Sequence, residues 1–402
     1  MSTSAEPGEN KRLRLPRSIW TLGFVSMLMD TSSELIHALL PIFMVTTLGM
    51  SALSVGIVEG IAEATGSITK IFSGAISDWI GKRKPLVVLG YGLAAFTKPL
   101  FPLASNAGLV ITARFLDRVG KGIRGAPRDA LISDITSKEQ RGAAFGLRQA
   151  LDTVGGFLGP LAAIGLMLWL ADDIRTVMWF AVVPAFGAFV LLVVAVPEPE
   201  RTTVRRPGRF PISRSELGNL SAAYWLIVAV GAVLTLARFS EAFLVLRAQD
   251  IGMGIAWIPA VLVVMSTVYA AAAYPAGILS DRMERRHVLA IGIGFLIAAD
   301  LVLAQAWGVL GVMCGVALWG LHMGFTQGLL STLVADAAPS ELRGTAFGVF
   351  NLFCGLMMLV ASVLAGFLWD RLGAPTTFLT GALFTTLALL GLFLTRRHGQ
   401  PE

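Results

Sequence analysis

Long apolar runs, each about as long as a bilayer is thick, alternate along the chain with short breaks that are polar or carry glycine and proline. A helix needs roughly 20 apolar residues to cross the hydrocarbon core. The pattern predicts twelve such helices, over 19–48, 52–77, 85–104, 107–126, 142–170, 174–196, 219–246, 252–279, 287–306, 308–335, 344–369 and 374–395. The stretch 127–141 reads as a connection. The stretch 197–218, with four prolines and five arginines, reads as a longer linker near the middle. The expected organisation is a tail (1–18), a six-helix half (19–196), the linker, a second six-helix half (219–395) and a tail (396–402). The expected fold class is therefore an all-α integral membrane protein, with two six-helix halves around a central cavity.

Composition sharpens this picture. Of the 402 residues 55% are hydrophobic and 14% charged, against about 25% charged in soluble domains, and the mean hydropathy is +0.72. Too few polar residues exist to coat a soluble enzyme, a disordered chain or a secreted disulfide scaffold. The two cysteines, Cys314 and Cys354, lie in separate apolar runs and read as small hydrophobes. The first run follows a basic tail, as a secretory signal does, but it is too long for one and carries Asp30, Glu34 and His37.

The net charge of +6 is a topology signal rather than a nucleic-acid footprint. Of the 32 Lys and Arg, 24 fall in segments that share one side of the twelve-span map. Only Arg175, Arg247 and Arg371 fall on the other side. This asymmetry predicts both termini in the cytoplasm, and a multi-pass protein of the inner (plasma) membrane.

The halves repeat. Gly74 to Asp78 matches Gly277 to Asp281, and Asp134 to Gly146 matches Asp336 to Gly348 at an offset of 202, with seven of thirteen positions identical. Parallel repeats related by an axis along the membrane normal are a transporter architecture.

Three local motifs then point to a family. The turn after the second span carries Gly74, Asp78, Gly81, Lys82, Arg83 and Lys84; the fourth carries Arg114, Asp117, Arg118, Gly120 and Gly122; the fifth carries Gly155, Gly159 and Pro160. Together they resemble the major facilitator superfamily of secondary transporters over about residues 18–396, and within it the twelve-helix drug:proton antiporter branch. Trp79 departs from the basic residue usual in the first motif. The resemblance implies a cytoplasmic latch between spans 2 and 11, built on Asp78 and the basic turn, that stabilises an outward-facing state. Asp281 with Arg282 would form a weaker copy in the second half. Gly155, Gly159 and Pro160 are expected to form a close, flexible contact between spans 5 and 8.

Charges inside apolar spans are costly and mark function. Asp30, Glu34 and His37 share one face of span 1, as Glu59 and Glu63 do in span 2. Arg114–Asp117 and Arg148–Asp152 are spaced to neutralise within their own helices. Asp30, Glu34 and Asp117, with Arg114, are the expected proton-coupling residues. The expected cavity adds His37, Glu59, Glu63, Arg148, Asp152, Arg238, Glu241, His322, Gln327 and Asn351. The first half holds most of these charges, which assigns coupling to it and more of the substrate surface to the second.

No cofactor or resident metal is expected: the two intramembrane histidines have no ligand spacing, and the Gly120–Gly125 stretch lacks a Walker ending. The expected function is proton-coupled export of small organic compounds by alternating access. The expected partners are a small-molecule substrate, protons and the lipid bilayer, with no nucleic acid, and the protein is expected to be a monomer. Uptake of an anionic metabolite with protons, or export of a metal or metal chelate, are the alternatives.

Overall fold

The computed structural model describes residues 15–80, 82–137, 140–198, 218, 220–339 and 342–394. The described residues form helical rods and turns. They are α1 (Arg17–Ile42, continued by a wider turn Phe43–Thr47), α2 (Ala52–Ile80), α3 (Lys84–Thr97, then Leu100–Leu103), α4 (Ala107–Ile135), α5 (Arg141–Trp169) and α6 (Ile174–Phe180, then Val182–Ala195). The second half holds α7 (Ala222–Ala237, then Ala242–Asp250), α8 (Ala260–Arg282), α9 (Arg285–Ala304), α10 (Val309–Ala337), α11 (Arg343–Leu372) and α12 (Ala374–Leu394). Ten of the rods are long and apolar enough to cross a membrane. The other two, α2 and α4, are as long as α5, but α4 is far richer in charge and α2 carries Glu59, Glu63, Lys70 and Asp78.

Local chemistry sets the helix ends. Asn106 starts α4 by accepting from the Leu109 amide at 3.0 Å, and Ser221 starts α7 by accepting from Tyr224 at 3.2 Å. Asp173 starts α6 through the Thr176 amide at 3.1 Å, and the Thr176 hydrogen bonds hold its carboxyl below the usual carboxylate range. Pro127 and Pro160 lie inside α4 and α5, where each removes a backbone donor.

One boundary is corrected. The fourth helix does not stop at 126 but runs to Ile135, through Pro127. The supposed connection 127–141 is therefore mostly helix. Arg118, Lys121, Arg124 and Arg128, read as topology signals, sit on that helix and turn inward.

The internal repeat is visible in the packing. Arg83 pairs with Asp134 at 3.3 Å, and Arg285, at an offset of 202, pairs with Asp336. α4 and α10 have bounds that differ by that same offset. Within the first half α1 packs on α5, and α2 and α3 on α4; within the second, α8 and α9 pack on α10, and α9 on α12. The halves meet chiefly through α2 with α11 and α5 with α8.

The two ends of the bundle differ. At the end away from the basic segments, a single apolar core runs through both halves, from Leu39 and Phe43 to Phe243, Trp319 and Phe378. There α2 and α11 touch backbone to backbone: a Cβ on Gly56 would lie 2.1 Å from the Ser362 carbonyl. At the basic end the cores are separate, one in the first half around Tyr91 and Ile132, and two in the second around Tyr224 and Leu289. The bundle is sealed at one end and split at the other. Its outer surface carries exposed apolar side chains such as Val183, Val194, Leu310 and Leu383, a surface suited to lipid.

Candidate functional site: a charged cavity between the halves

The split encloses a cavity of about 540 Å³. Its walls come from α1 (Asp30, Glu34), α2 (Glu63, Lys70), α4 (Arg118, Lys121, Arg124, Arg128, Asp129) and α5 (Gln149, Asp152). The second half contributes Glu241, Ser266, Tyr269 and Asn351 among others. A smaller space of about 220 Å³ deepens it toward the sealed end, and His37, Glu59, Arg238 and Glu241 line that floor.

Part of the charge on and behind these walls is paired, across helices or along one. Arg114 donates to Glu59 at 2.7 Å, with each side chain only 1% exposed. Lys98 donates to Asp117 at 2.8 Å and to Ser33 at 2.9 Å. Arg118 lies 3.3 Å from Glu63, and Glu34 shares a hydrogen bond of 3.1 Å with His37. Arg148 donates to Asp152 at 2.7 Å, one turn along α5. Arg128 reaches Ser26 at 2.9 Å, and Arg124 stacks 4.7 Å above the Tyr91 ring.

Several expected pairings are rearranged. Arg114 and Asp117 do not neutralise each other: they point to different helices, and Glu59 and Lys98 take their charges. Asp117, expected as a leading proton site, is buried in that Lys98 pair and does not line the cavity. Spacing along one helix signals which residues share a face, but not which neighbouring helix supplies the counter-charge. Lys98, at the Pro99 break of α3, is the missed partner.

His322 is also off the cavity. It is buried against α9, with Nδ1 2.8 Å from the Gly292 carbonyl. Arg148 stands behind Asp152, and Gln327 lies outside the lining. Asp30, Glu34, Glu63, Asp152, Glu241 and Asn351 do line the main cavity, and His37, Glu59 and Arg238 line its floor. Among the described residues, Asp30, Glu241 and Lys121 make no ion pair within 4 Å. With Lys70 and Arg124, which likewise make none, they leave unpaired charge of both signs on the cavity wall.

The glycine pair of α5 meets a different helix from the one expected. A Cβ on Gly155 would lie 2.5 Å from the Met27 carbonyl, and one on Gly159 2.7 Å from the Thr31 carbonyl. The stripe therefore seats α5 on α1 rather than on α8, which places the Asp30–Glu34 face of α1 beside Asp152. Pro160 follows directly.

The basic turn after α2 bonds to the start of the linker and back to α2 itself. The Arg83 and Lys84 amides donate to Glu198 at 2.9 and 2.8 Å, and the Arg83 guanidinium donates to Ser77 at 2.8 Å. Gly74 packs on Ala126 of α4, and Lys82 and Arg282 are exposed. The Asp78 and Asp281 side chains and all of Gly81 lie outside the described residues.

Comparison with known proteins agrees with this architecture. Residues 22–362 match the family model described as Major Facilitator Superfamily. An uncharacterized MFS-type transporter of Methanocaldococcus jannaschii is 34% identical over 394 residues, covering 96% of each chain. The multidrug resistance protein MdtH of Shigella boydii is 24% identical, over 86% of this chain and 84% of its own. The crystal structure of the nucleoside transporter NupG superposes with a TM-score of 0.78 at 11% identity, covering 94% of this chain and all of that one.

Proposed function

The chain belongs to the major facilitator superfamily, and from that premise we propose that it is a proton-coupled exporter of small organic compounds from the cytoplasm, working by alternating access. The observation that carries this reading is the cavity itself. It lies between two repeat-related halves that are sealed by a shared apolar core at one end and split at the other. A substrate entering from the basic end would bind at mid-depth, and rocking the halves would close that end and open the other.

The walls carry both signs of charge, with Asp30, Glu34, Asp152 and Glu241 facing Arg118, Lys121, Arg124 and Arg128. Such a lining suits a polar or charged compound better than a purely lipophilic one. The proton carriers in this reading are Asp30 and Glu34. Asp30 has no ion-pair partner among the described residues, and Glu34 has only His37. A carboxylate free to gain or lose a proton changes which neighbours are satisfied, and so biases one conformer over the other. Asp117 belongs instead to a fixed buried pair.

Uptake of an anionic metabolite remains the second reading, favoured by the cations on the cavity wall. One experiment separates the two. Wild type and Asp30→Asn are expressed at matched levels in a bacterial host stripped of its own exporters, and growth is scored across toxic organic compounds of graded charge. Export predicts protection by wild type that Asp30→Asn loses. Sensitisation by wild type supports uptake, and no change across the panel overturns export.

A further inference from the structure

Among the described residues, one fully buried acid has no partner and lines neither the cavity nor its floor. Asp300 sits one turn before the end of α9, with no exposed surface. Both of its carboxylate oxygens are buried, and neither has a hydrogen-bond partner. They press against α12, where a Cβ on Gly381 would lie 2.7 Å from Oδ2 and 3.2 Å from the Phe239 ring. The surroundings are apolar: Leu296, Ala299 and Leu303 on the same helix belong to the core that seals this end.

The internal repeat explains what is unusual about this position. At the offset of 202, Asp300 corresponds to Lys98 and Trp319 to Asp117. In the first half those positions form a buried ion pair. In the second half an acid stands where the cation was and an indole where the acid was. The Trp319 Nε1 is likewise buried without a partner. A site built for one acid and one cation keeps the acid and lacks the cation.

The charged groups on the elements around Asp300 do not fill that place. α7 carries Arg238, Glu241, Arg247 and Asp250, α8 carries Asp281 and Arg282 at the opposite end of its sequence, and α10 carries His322 and Asp336. α9 itself adds Arg285, Arg286 and His287 at its far end, and α12 carries no charge over residues 374–394. None is bonded to Asp300. An ionised carboxylate packed this way would leave an uncompensated buried charge, which is strongly unfavourable.

We propose that Asp300 is a proton-binding site of the second half, occupied while the far end is sealed and emptied when that end opens. The step is a simple dissociation: the Oδ–H bond breaks, the electron pair stays on the carboxylate, and the proton leaves to water admitted by the opening; as that end closes the carboxylate takes a proton back from the same water, so the site sets the conformer without carrying a proton across. The link to the gate is the broken helix α7. Phe239 lies in its break, against the Asp300–Gly381 contact, and the segment beyond the break is anchored to the end of α9. Arg247 in that segment donates to the Leu303 carbonyl at 3.0 Å and to that of Ala306 at 3.2 Å. Motion of this segment away from α9 would uncover Asp300 to water. By linkage, a site that holds a proton in only one conformer makes the equilibrium between conformers depend on pH.

The proposal rests on the alternating-access reading, and its test separates the two. Spin labels are placed at the far end on repeat-related exposed turns, through Ser105→Cys and Trp307→Cys with Cys314 and Cys354 replaced by serine. Distances are measured in liposomes from acid to alkaline pH. The expected result is a long-distance population that grows with pH in wild type, is lost in Asp300→Asn, and persists in Asp300→Glu. Infrared spectra of the sealed conformer should show a neutral carboxylic C=O band that disappears in Asp300→Asn. If Asp300→Asn responds to pH like wild type, if Asp300→Glu is unresponsive, or if the band is absent from wild type, the proposal is overturned. Should Asp300→Asn fail to fold, the wild-type band and the Asp300→Glu response decide alone. If no condition yields a second distance, alternating access itself fails.

Discussion

The pair Lys98–Asp117 and its repeat-related counterpart Asp300–Trp319 occupy equivalent places on α3–α4 and α9–α10, yet they solve opposite problems. In the first half a buried acid meets a buried ammonium at 2.8 Å, and the Ser33 hydroxyl accepts a further hydrogen bond from that ammonium. In the second half the acid and the indole donor are buried without partners. The contrast extends outward. Glu59–Arg114 and Glu63–Arg118 tie α2 to α4, whereas the region around Asp300 is held by ring contacts of Phe239 with Phe243, Trp319 and Phe378. One backbone plan, used twice, is tied by charge around Lys98 and by aromatic packing around Asp300. Duplication conserves the positions of helices while leaving the chemistry at each contact free to diverge.

The largest effect that could break this comparison comes from Lys98→Met. It strands Asp117 in a site 3% exposed, and breaking a buried pair from one side costs about 3–5 kcal/mol. Thermal unfolding in detergent should show that loss, and Lys98→Met with Asp117→Leu should recover most of it. A single variant as stable as wild type would mean that the first half does not depend on its pairs.

Asp300→Leu should act in the opposite direction. It removes a buried carboxyl that has no partner, and relief of an unsatisfied polar group amounts to about 1–3 kcal/mol. The same unfolding assay should therefore show a higher midpoint, while pH-driven opening at the far end is lost. A fall in stability would show that Asp300 has a structural partner and that the contrast with Lys98 is false.

Much of the fold was legible because helix length and hydropathy report directly on the bilayer. The rods begin and end within a few residues of the apolar runs, except where α4 continues through Pro127 on a strongly charged stretch that reads as a loop, and where α8 starts at Ala260, eight residues after the expected 252. The cavity was legible in part. Asp30, Glu34, Glu63, Asp152, Glu241 and Asn351 stand out as polar residues in apolar spans, and they do line it. Partners were not legible: Glu59 reaches Arg114 across 55 residues, and Gly159 faces α1 rather than α8. Periodicity specifies a face, and only packing specifies what the face meets. Asp300 was missed because one acid in an apolar run looks unremarkable alone, although the repeat offset to Lys98 was a signal available in the sequence.

The smallest of the effects tests a place where the second half lends a charge to the first. Asp370, at the end of α11, accepts from the Ala52 amide at 3.0 Å and the Leu53 amide at 2.9 Å, the opening donors of α2. Such amides have no partner within their own helix, and a carboxylate there also meets the positive end of the helix dipole. The contact joins the halves at the sealed end, so it stabilises only the conformer in which that end is closed. It has no symmetric copy: the repeat-related position on α5 is Leu168, which is exposed. Losing a capping side chain costs about 1 kcal/mol, a roughly fivefold change in an equilibrium. Asp370→Ala should therefore raise the far-end-open population about fivefold, read from the Ser105–Trp307 label distances. Asp370→Asn, which keeps one acceptor oxygen, should raise it less. Equal distance distributions in all three proteins would show that the seal is held by the shared apolar core alone. The charge contrast between the halves would then end at their interface.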